Sequence, residues 1–302
     1  MLPRSVDRIT LLAFAVATLI LGLNWVSVRF SNRELPPLWG ASLRFLVASA
    51  ILFGVVALRG ISLPRGRALS GALVYGALVF GANFGLLYWA LVTVPAGMTS
   101  VLFATLPLMT LFASVVAGFE RIKAQSIVGA LIAIGGLALI FSAQLTADIT
   151  LLPVLAVFLA ALVAGIATVV VKSFPRTHPI ATNAVGIGTG ALLLLLGSIV
   201  VGENRAVPTQ MPTWIALAYL IGSSTIGFSL MTLVVLRWTP SASAYGTVIS
   251  PVIAIVTATL LAGEVFGPQF FFGAAIVGIG VYVGALAKTA RVAPIAPGAP
   301  AA

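Results

Sequence analysis

Apolar residues fill this chain in blocks of about twenty separated by short polar breaks, the length an α-helix needs to cross a hydrocarbon core of ~30 Å. Ten blocks are predicted to be membrane helices: residues 9–30, 38–58, 68–91, 96–118, 123–143, 150–172, 179–202, 213–236, 240–262 and 267–288. The breaks hold the turn formers Pro36, Pro37, Pro64, Gly66, Pro95, Pro175, Pro179, Pro208, Pro212, Pro240 and Pro268. The first block follows a charged N-terminus in the manner of a signal peptide. Its apolar run continues for about 20 residues into Asn24 and Trp25, too long for an h-region, and is read as the first helix. Residues 289–302 are rich in Ala and Pro without periodicity and are predicted to be a disordered cytoplasmic tail. Nearly every face of each block is apolar, so the pattern predicts the helices but not their inward sides.

The blocks fall into two copies. Pro107 and Pro251, Glu120 and Glu264, Gly129 and Gly273, and Gly136 and Gly280 are each separated by 144 residues; Pro95 and Pro240 differ by one more. Gly22 and Arg29 align with Gly165 and Lys172 at an offset of 143. The predicted units are residues 1–145 and 146–288, each with five helices. An odd number makes the second unit enter the membrane from the opposite side, so the copies are inverted about an axis in the membrane plane. Glu120 and Glu264 are then equivalent residues on opposite faces. This is the architecture of secondary transporters, with the substrate site at the repeat interface and one half rocking against the other.

Charge orients the helices. With the N-terminus cytoplasmic, twelve Lys and Arg lie in inner segments, three (Arg29, Arg33 and Arg205) in outer ones, and Arg44 within the second helix. That bias puts both termini on the cytoplasmic side, and a bacterial cytoplasmic membrane is the expected location. The net charge of +10 is scattered in ones, twos and threes beside helix ends, so it is topogenic and no nucleic acid partner is expected. At 61% apolar and 7% charged residues, the partner is the lipid bilayer. The chain has no Cys and one His, His178, in a loop, and its acids are dispersed; no metal, cofactor or enzymatic chemistry is expected. No G-x-x-x-x-G-K-[ST] loop is present, which argues against an ATPase.

From Tyr88 to Phe141, and again from Arg237, the chain runs through small residues after a Pro, a mid-helix Pro, a Gly–acid pair or near-pair (Gly118 with Glu120, Gly263 with Glu264) and a Gly-rich fifth helix. This pattern, with Arg44-Phe45 in the second helix, resembles the EamA repeat of the drug/metabolite transporter superfamily. The resemblance covers residues 9–288 in two copies. It implies an all-α integral membrane protein of ten helices in two inverted five-helix repeats that exports small metabolites. Within the family the overall likeness is to exporters of aromatic amino acids; exporters of other amino acids, drugs and nucleotide-related metabolites are the alternative.

A zwitterionic aromatic substrate needs aromatic faces for its ring and polar groups for its ends. Candidates are Asn24 and Trp25 on the first helix, Tyr75 and Asn83 on the third, Ser100 on the fourth, Thr225 on the eighth, and Tyr245 and Ser250 on the ninth. Tyr75 and Asn83, eight residues apart, lie about 80° from each other around an ideal helix. The competing readings are interfacial anchoring for the aromatics and backbone bonding for the hydroxyls. Pro107 and Pro251 are candidate hinges, since interrupted helices at matching positions point to a substrate site. Arg44 is a candidate gate: it attracts a substrate carboxylate, latches to Glu264 or Glu34, or snorkels to phosphates. The Gly-rich fifth and tenth helices are read as scaffold or a homodimer face. With no acid or His inside a helix to relay protons, facilitated diffusion or exchange is expected, and a channel is the remaining alternative.

Overall fold

Each of the ten predicted blocks is helical among the residues that the computed structural model describes, which are 8–118, 124–144, 151–171, 174–175, 177–237 and 245–286. The helices are α1 (Arg8–Ser31), α2 (Pro37–Leu58), α3 (Arg67–Ala90), α4 (Ala96–Val116), α5 (Ala124–Gln144), α6 (Leu151–Val171), α7 (Pro179–Val201), α8 (211–237), α9 (Tyr245–Ala262) and α10 (268–286). Seven of them, α1 to α4 and α6 to α8, are long and apolar enough to span a bilayer; α5, α9 and α10 carry the shorter apolar stretches Ala124–Ile140, Ile249–Ala262 and Pro268–Gly284. No strand occurs among the described residues. The predicted tail and Glu120 lie outside them.

The packing obeys the predicted duplication. Exchanging α1 with α6, α2 with α7, α3 with α8, α4 with α9 and α5 with α10 maps the most extensive inter-half contacts onto one another. Thus α1 packs on α8 and α9 while α6 packs on α3 and α4; α2 packs on α8 and α7 on α3; and α2–α7, α4–α9 and α5–α10 are self-equivalent pairs. Inter-half packing therefore runs through α1 to α4 and their counterparts, and through an extensive α5–α10 seam.

Backbone irregularities mark the centre. In α3 the chain widens into a π-helical segment at Gly76–Asn83, and in α8 at Ser223–Gly227. These are repeat-equivalent, because the 144-residue offset carries Gly76–Asn83 onto residues 220–227. π-bulges inside α-helices are frequent at functional sites, though a third π-helical segment, Tyr282–Leu286, simply closes α10. The two matched prolines differ. Helix α4 breaks after Phe103 and restarts at Leu106, so Pro107 sits in a first turn where no amide donor is needed, whereas Pro251 lies within an unbroken α9.

Helices α5 and α10 meet through glycine. A Cβ on Gly129 would lie 2.2 Å from the Gly284 Cα, and one on Gly136 would lie 2.7 Å from the Gly273 carbonyl oxygen. Only hydrogen at these positions lets the backbones touch, the contact that stands in for the hydrophobic effect between helices in lipid. The glycine-rich reading as scaffold holds for this seam. Gly135 and Gly278, by contrast, face open space.

Candidate substrate site

On the face carrying the α1–α2, α3–α4, α7–α8 and α9–α10 connections, three carboxylates reach across to the opposite half and cap a helix there. α7 ends at Gly202 with φ +76°, and α9 at Gly263 with φ +66°, a left-handed conformation that glycine adopts without strain. The next residue in each case is a glutamate. Glu203 accepts the amides of Leu38 and Trp39 at 3.1 and 2.8 Å, at the start of α2. Glu264 accepts those of Ala96 and Gly97 at 2.9 and 3.2 Å, at the start of α4. Both recipient helices follow a proline, Pro36 or Pro95, that offers no capping side chain. The free N–H groups and positive dipole end are satisfied from the other half.

Glu34, between α1 and α2, returns the arrangement by accepting the amides of Thr209 and Gln210 before α8. The Thr209 hydroxyl and these amides hold its carboxyl down at a pKa of about 2. Glu264 is further paired with Arg29 of α1 at 3.3 Å, and Arg29 also donates to the Val94 carbonyl at 2.9 Å. This is the sole ion pair among the described residues. Each cap must be broken for the two halves to part on this side.

Below this face, Arg44 is wholly buried, with 0% exposure, between α2, α3 and α8. Its Nε donates to the Leu220 carbonyl at 3.1 Å and to Ser224 Oγ at 2.6 Å. Its terminal nitrogens donate to Tyr88 Oη and Ser223 Oγ, both at 3.3 Å. The guanidinium also lies 4.7 Å from the Phe45 ring centroid and 5.3 Å from that of Phe84. Every partner is neutral. Glu34 and Glu264 are committed to the caps, so Arg44 latches to neither, and its burial leaves no path to a lipid phosphate.

Around Arg44 the rings of Phe45, Phe80, Phe84, Phe228 and Tyr75 form one cluster. Phe80 and Phe84 lie parallel with centroids 6.1 Å apart, while Phe45 and Phe228 meet both edge-on at 5.1 to 5.7 Å. Tyr75 sits perpendicular to Phe80 at 5.4 Å. Phe80 and Phe84 flank the end of the α3 π-segment, which glycines seat on α7: a Cβ on Gly76 would lie 2.3 Å from the Gly186 carbonyl oxygen.

A second polar contact joins α1 to α9. Trp25 Nε1 donates to Ser250 Oγ at 2.9 Å, and the indole lies 5.4 Å from the Phe103 ring at the break in α4. Trp25 and Phe84 each pack against both the buried apolar group around Phe45, Phe80 and Tyr88 and the one around Met98, Leu102 and Ile140, so the two contact regions are continuous.

The predicted residues divide accordingly. Trp25 with Ser250, and Tyr75 with the phenylalanines, are brought to the centre. Asn24 is buried, its Oδ1 without a partner among the described residues; so is Asn83, 2% exposed, whose Nδ2 donates to the Val79 carbonyl. Ser100 and Thr225 turn their hydroxyls onto carbonyls of their own helices, Gly97 for the first and Ile221 and Gly222 for the second. Tyr245 opens α9, and its side chain lies outside the described residues. Sequence reasoning did not select Ser223, Ser224 and Tyr88 as site residues, nor the phenylalanine cluster. A buried Arg in an apolar helix was the signal that these partners had to exist.

Ten helices in two mutually capping halves, with a polar and aromatic centre at their interface, define a multi-pass membrane carrier for small molecules. The chain belongs to the EamA-like transporter family, whose model matches residues 8–142 and again 151–285. It is similar to the "Uncharacterized inner membrane transporter YedA" of Escherichia coli (strain K12), with 25% identity over 248 residues, 82% of this chain and 80% of the relative. It is 32% identical over 236 residues to a "Probable terminal-alkyne amino-acid exporter" of Streptantibioticus cattleyicolor, covering 77% and 78% of the two chains. A "Probable amino-acid metabolite efflux pump" of Salmonella typhimurium matches at 24% over 295 residues, covering 92% and 96%. One solved crystal structure superposes with a TM-score of 0.65 at 20% identity, over 92% of this chain and 97% of the other, and shares the fold. The protein is a transporter of small metabolites in the inner membrane and not an enzyme.

Proposed function

We propose that this carrier exports aromatic amino acids from the cytoplasm by alternating access, as a facilitator or exchanger. The observation that carries the reading is the ring cluster of Phe45, Phe80, Phe84, Phe228 and Tyr75 where α2, α3 and α8 meet, framed by π-segments in repeat-equivalent helices. An aromatic ring gains edge-to-face contacts there of the kind the cluster already makes with itself. The amino-acid exporter and efflux pump among the relatives support an amino acid as cargo.

In this reading the units 1–145 and 146–288 are the rocking halves and both termini are cytoplasmic, so the capped face is the outer one and the structure is closed to the outside. Trp25, Tyr75 and Ser250 line the route, with Asn24, Asn83, Ser100, Thr225 and Tyr245 as further contacts, and the break before Pro107 and the buried Pro251 as hinges. A second copy would pack at the open faces of Gly135 and Gly278 to give a homodimer. The test is uptake of labelled phenylalanine or tryptophan into proteoliposomes. Saturable, trans-stimulated uptake, reduced in Tyr75→Ala, is the expected result. Uptake of another solute but of no amino acid refutes the assignment, and uptake that collapses with the proton gradient alone refutes the facilitator mechanism.

A further inference from the structure

Among the described residues, the centre of the molecule holds a fixed positive charge, Arg44, with no negative one beside it. Arg44 offers five N–H donors, and its described bonds engage Nε and one direction each of the two terminal nitrogens. The acceptors are a carbonyl, two serine hydroxyls and a phenol. Ser223 and Ser224 also donate to the Leu220 carbonyl, at 3.0 and 2.7 Å, so their remaining lone pairs hold the guanidinium. The described carboxylates Glu34, Glu203 and Glu264 are spent on helix caps, and the sequence puts every acid in a loop or at a helix end. Burying a guanidinium among phenylalanines with no counter-ion is costly, and packing alone would be better served by an apolar residue. A planar fork held by exchangeable hydroxyls is the arrangement that accepts a carboxylate in their place.

We infer that Arg44 is the receptor for the carboxylate of the transported solute, and that the site recognises that group together with the ring. The inference rests on the aromatic reading above and extends it: the substrate class is aromatic monocarboxylates, of which aromatic amino acids are members. Amines of the same shape are excluded, because their cation would meet the guanidinium with nothing to neutralise either. Arg44 grips the π-turn of α8 from α2 in the other half, so a carboxylate that displaces Ser223 and Ser224 loosens the contact between the halves as it binds.

The test uses three solutes of one skeleton, phenylalanine, 3-phenylpropionate (no ammonium) and phenethylamine (no carboxylate), as competitors of labelled phenylalanine uptake into proteoliposomes. Expected is competition by 3-phenylpropionate, with phenethylamine a weaker competitor than it by about tenfold or more. Arg44→Lys keeps the preference with weaker binding, and Arg44→Gln abolishes it. If Arg44→Gln does not insert, the wild type and Arg44→Lys carry the comparison. Equal competition by acid and amine in the wild type, or a preference that survives in Arg44→Gln, overturns the inference and leaves aromatic export standing. If no aromatic solute is transported, hexanoate and hexylamine are compared by thermal stabilisation of the purified protein. Stabilisation by hexanoate that depends on Arg44 upholds the carboxylate receptor while the aromatic reading falls; no stabilisation by hexanoate overturns the receptor as well.

Discussion

Replacing Glu264 with Gln tests whether the capped face is a latch. The carboxylate accepts two amides, at 2.9 and 3.2 Å, and pairs with Arg29 at 3.3 Å. Gln retains one neutral acceptor oxygen, so the variant loses one charge-assisted bond, about 1.5–3 kcal/mol, and a partly exposed ion pair of about 0.5 kcal/mol. Taking the low end gives about 2 kcal/mol, and at 1.4 kcal/mol per factor of ten the open state gains about thirtyfold. The chain has no Cys, so Ser100→Cys introduces its sole thiol. Ser100 is buried just inside the capped turn, donating to Gly97. A membrane-impermeant maleimide added on the capped side of reconstituted vesicles should label this thiol about thirty times faster in Glu264→Gln than in its absence. Equal rates with and without Glu264→Gln would falsify the latch, since the halves would then part without breaking the caps.

Four further outcomes are expected. Gly129→Leu forces a side chain into the Gly284 backbone and should lower the unfolding temperature of the purified protein by the equivalent of about 3 kcal/mol or more, whereas Gly135→Ala, facing open space, should be neutral or slightly stabilising. Trp25→Phe and Ser250→Ala remove the same 2.9 Å bond, so a double-mutant cycle read by thermal unfolding should give a coupling of about 1 kcal/mol, and additivity would show the bond contributes nothing. The Glu34 carboxyl has its pKa lowered from 4.5 to about 2, so its contribution to stability is complete above 4.5 and is lost as pH falls from there through about 2; Glu34→Gln should flatten the pH dependence of unfolding in that window. Glu203→Ala uncaps α2 and should cost about 1–3 kcal/mol in the same assay.

The helices were legible because a bilayer demands about 20 apolar residues in a row, and their ends fell within a few residues of the turn-forming prolines. At α9 the predicted start at residue 240 lies outside the described residues, which resume within the helix at Tyr245. The duplication was legible through Pro107, Glu120, Gly129 and Gly136 and their partners. The π-segments were not, since hydropathy runs unbroken through Gly76–Asn83 and a wider turn leaves no composition mark. That irregularity also undoes ideal-helix arithmetic for Tyr75 and Asn83. Arg44 was visible as a buried charge, but its contacts with Ser223 and Ser224 span about 180 residues of chain. Ser100 and Thr225 show why polar residues in a membrane helix mislead: with no water available, a hydroxyl satisfies itself on its own backbone.

The glycine seam between α5 and α10 also bears on how the protein is made. Helix α5 leaves the ribosome well before α10, with its groove at Gly129 and Gly136 facing lipid until that partner is made. The seam therefore closes only once α10 has been made, so a chain truncated before α10 leaves that groove unfilled for quality-control proteases to find. Halves expressed as separate polypeptides should recover each other in the membrane through this seam.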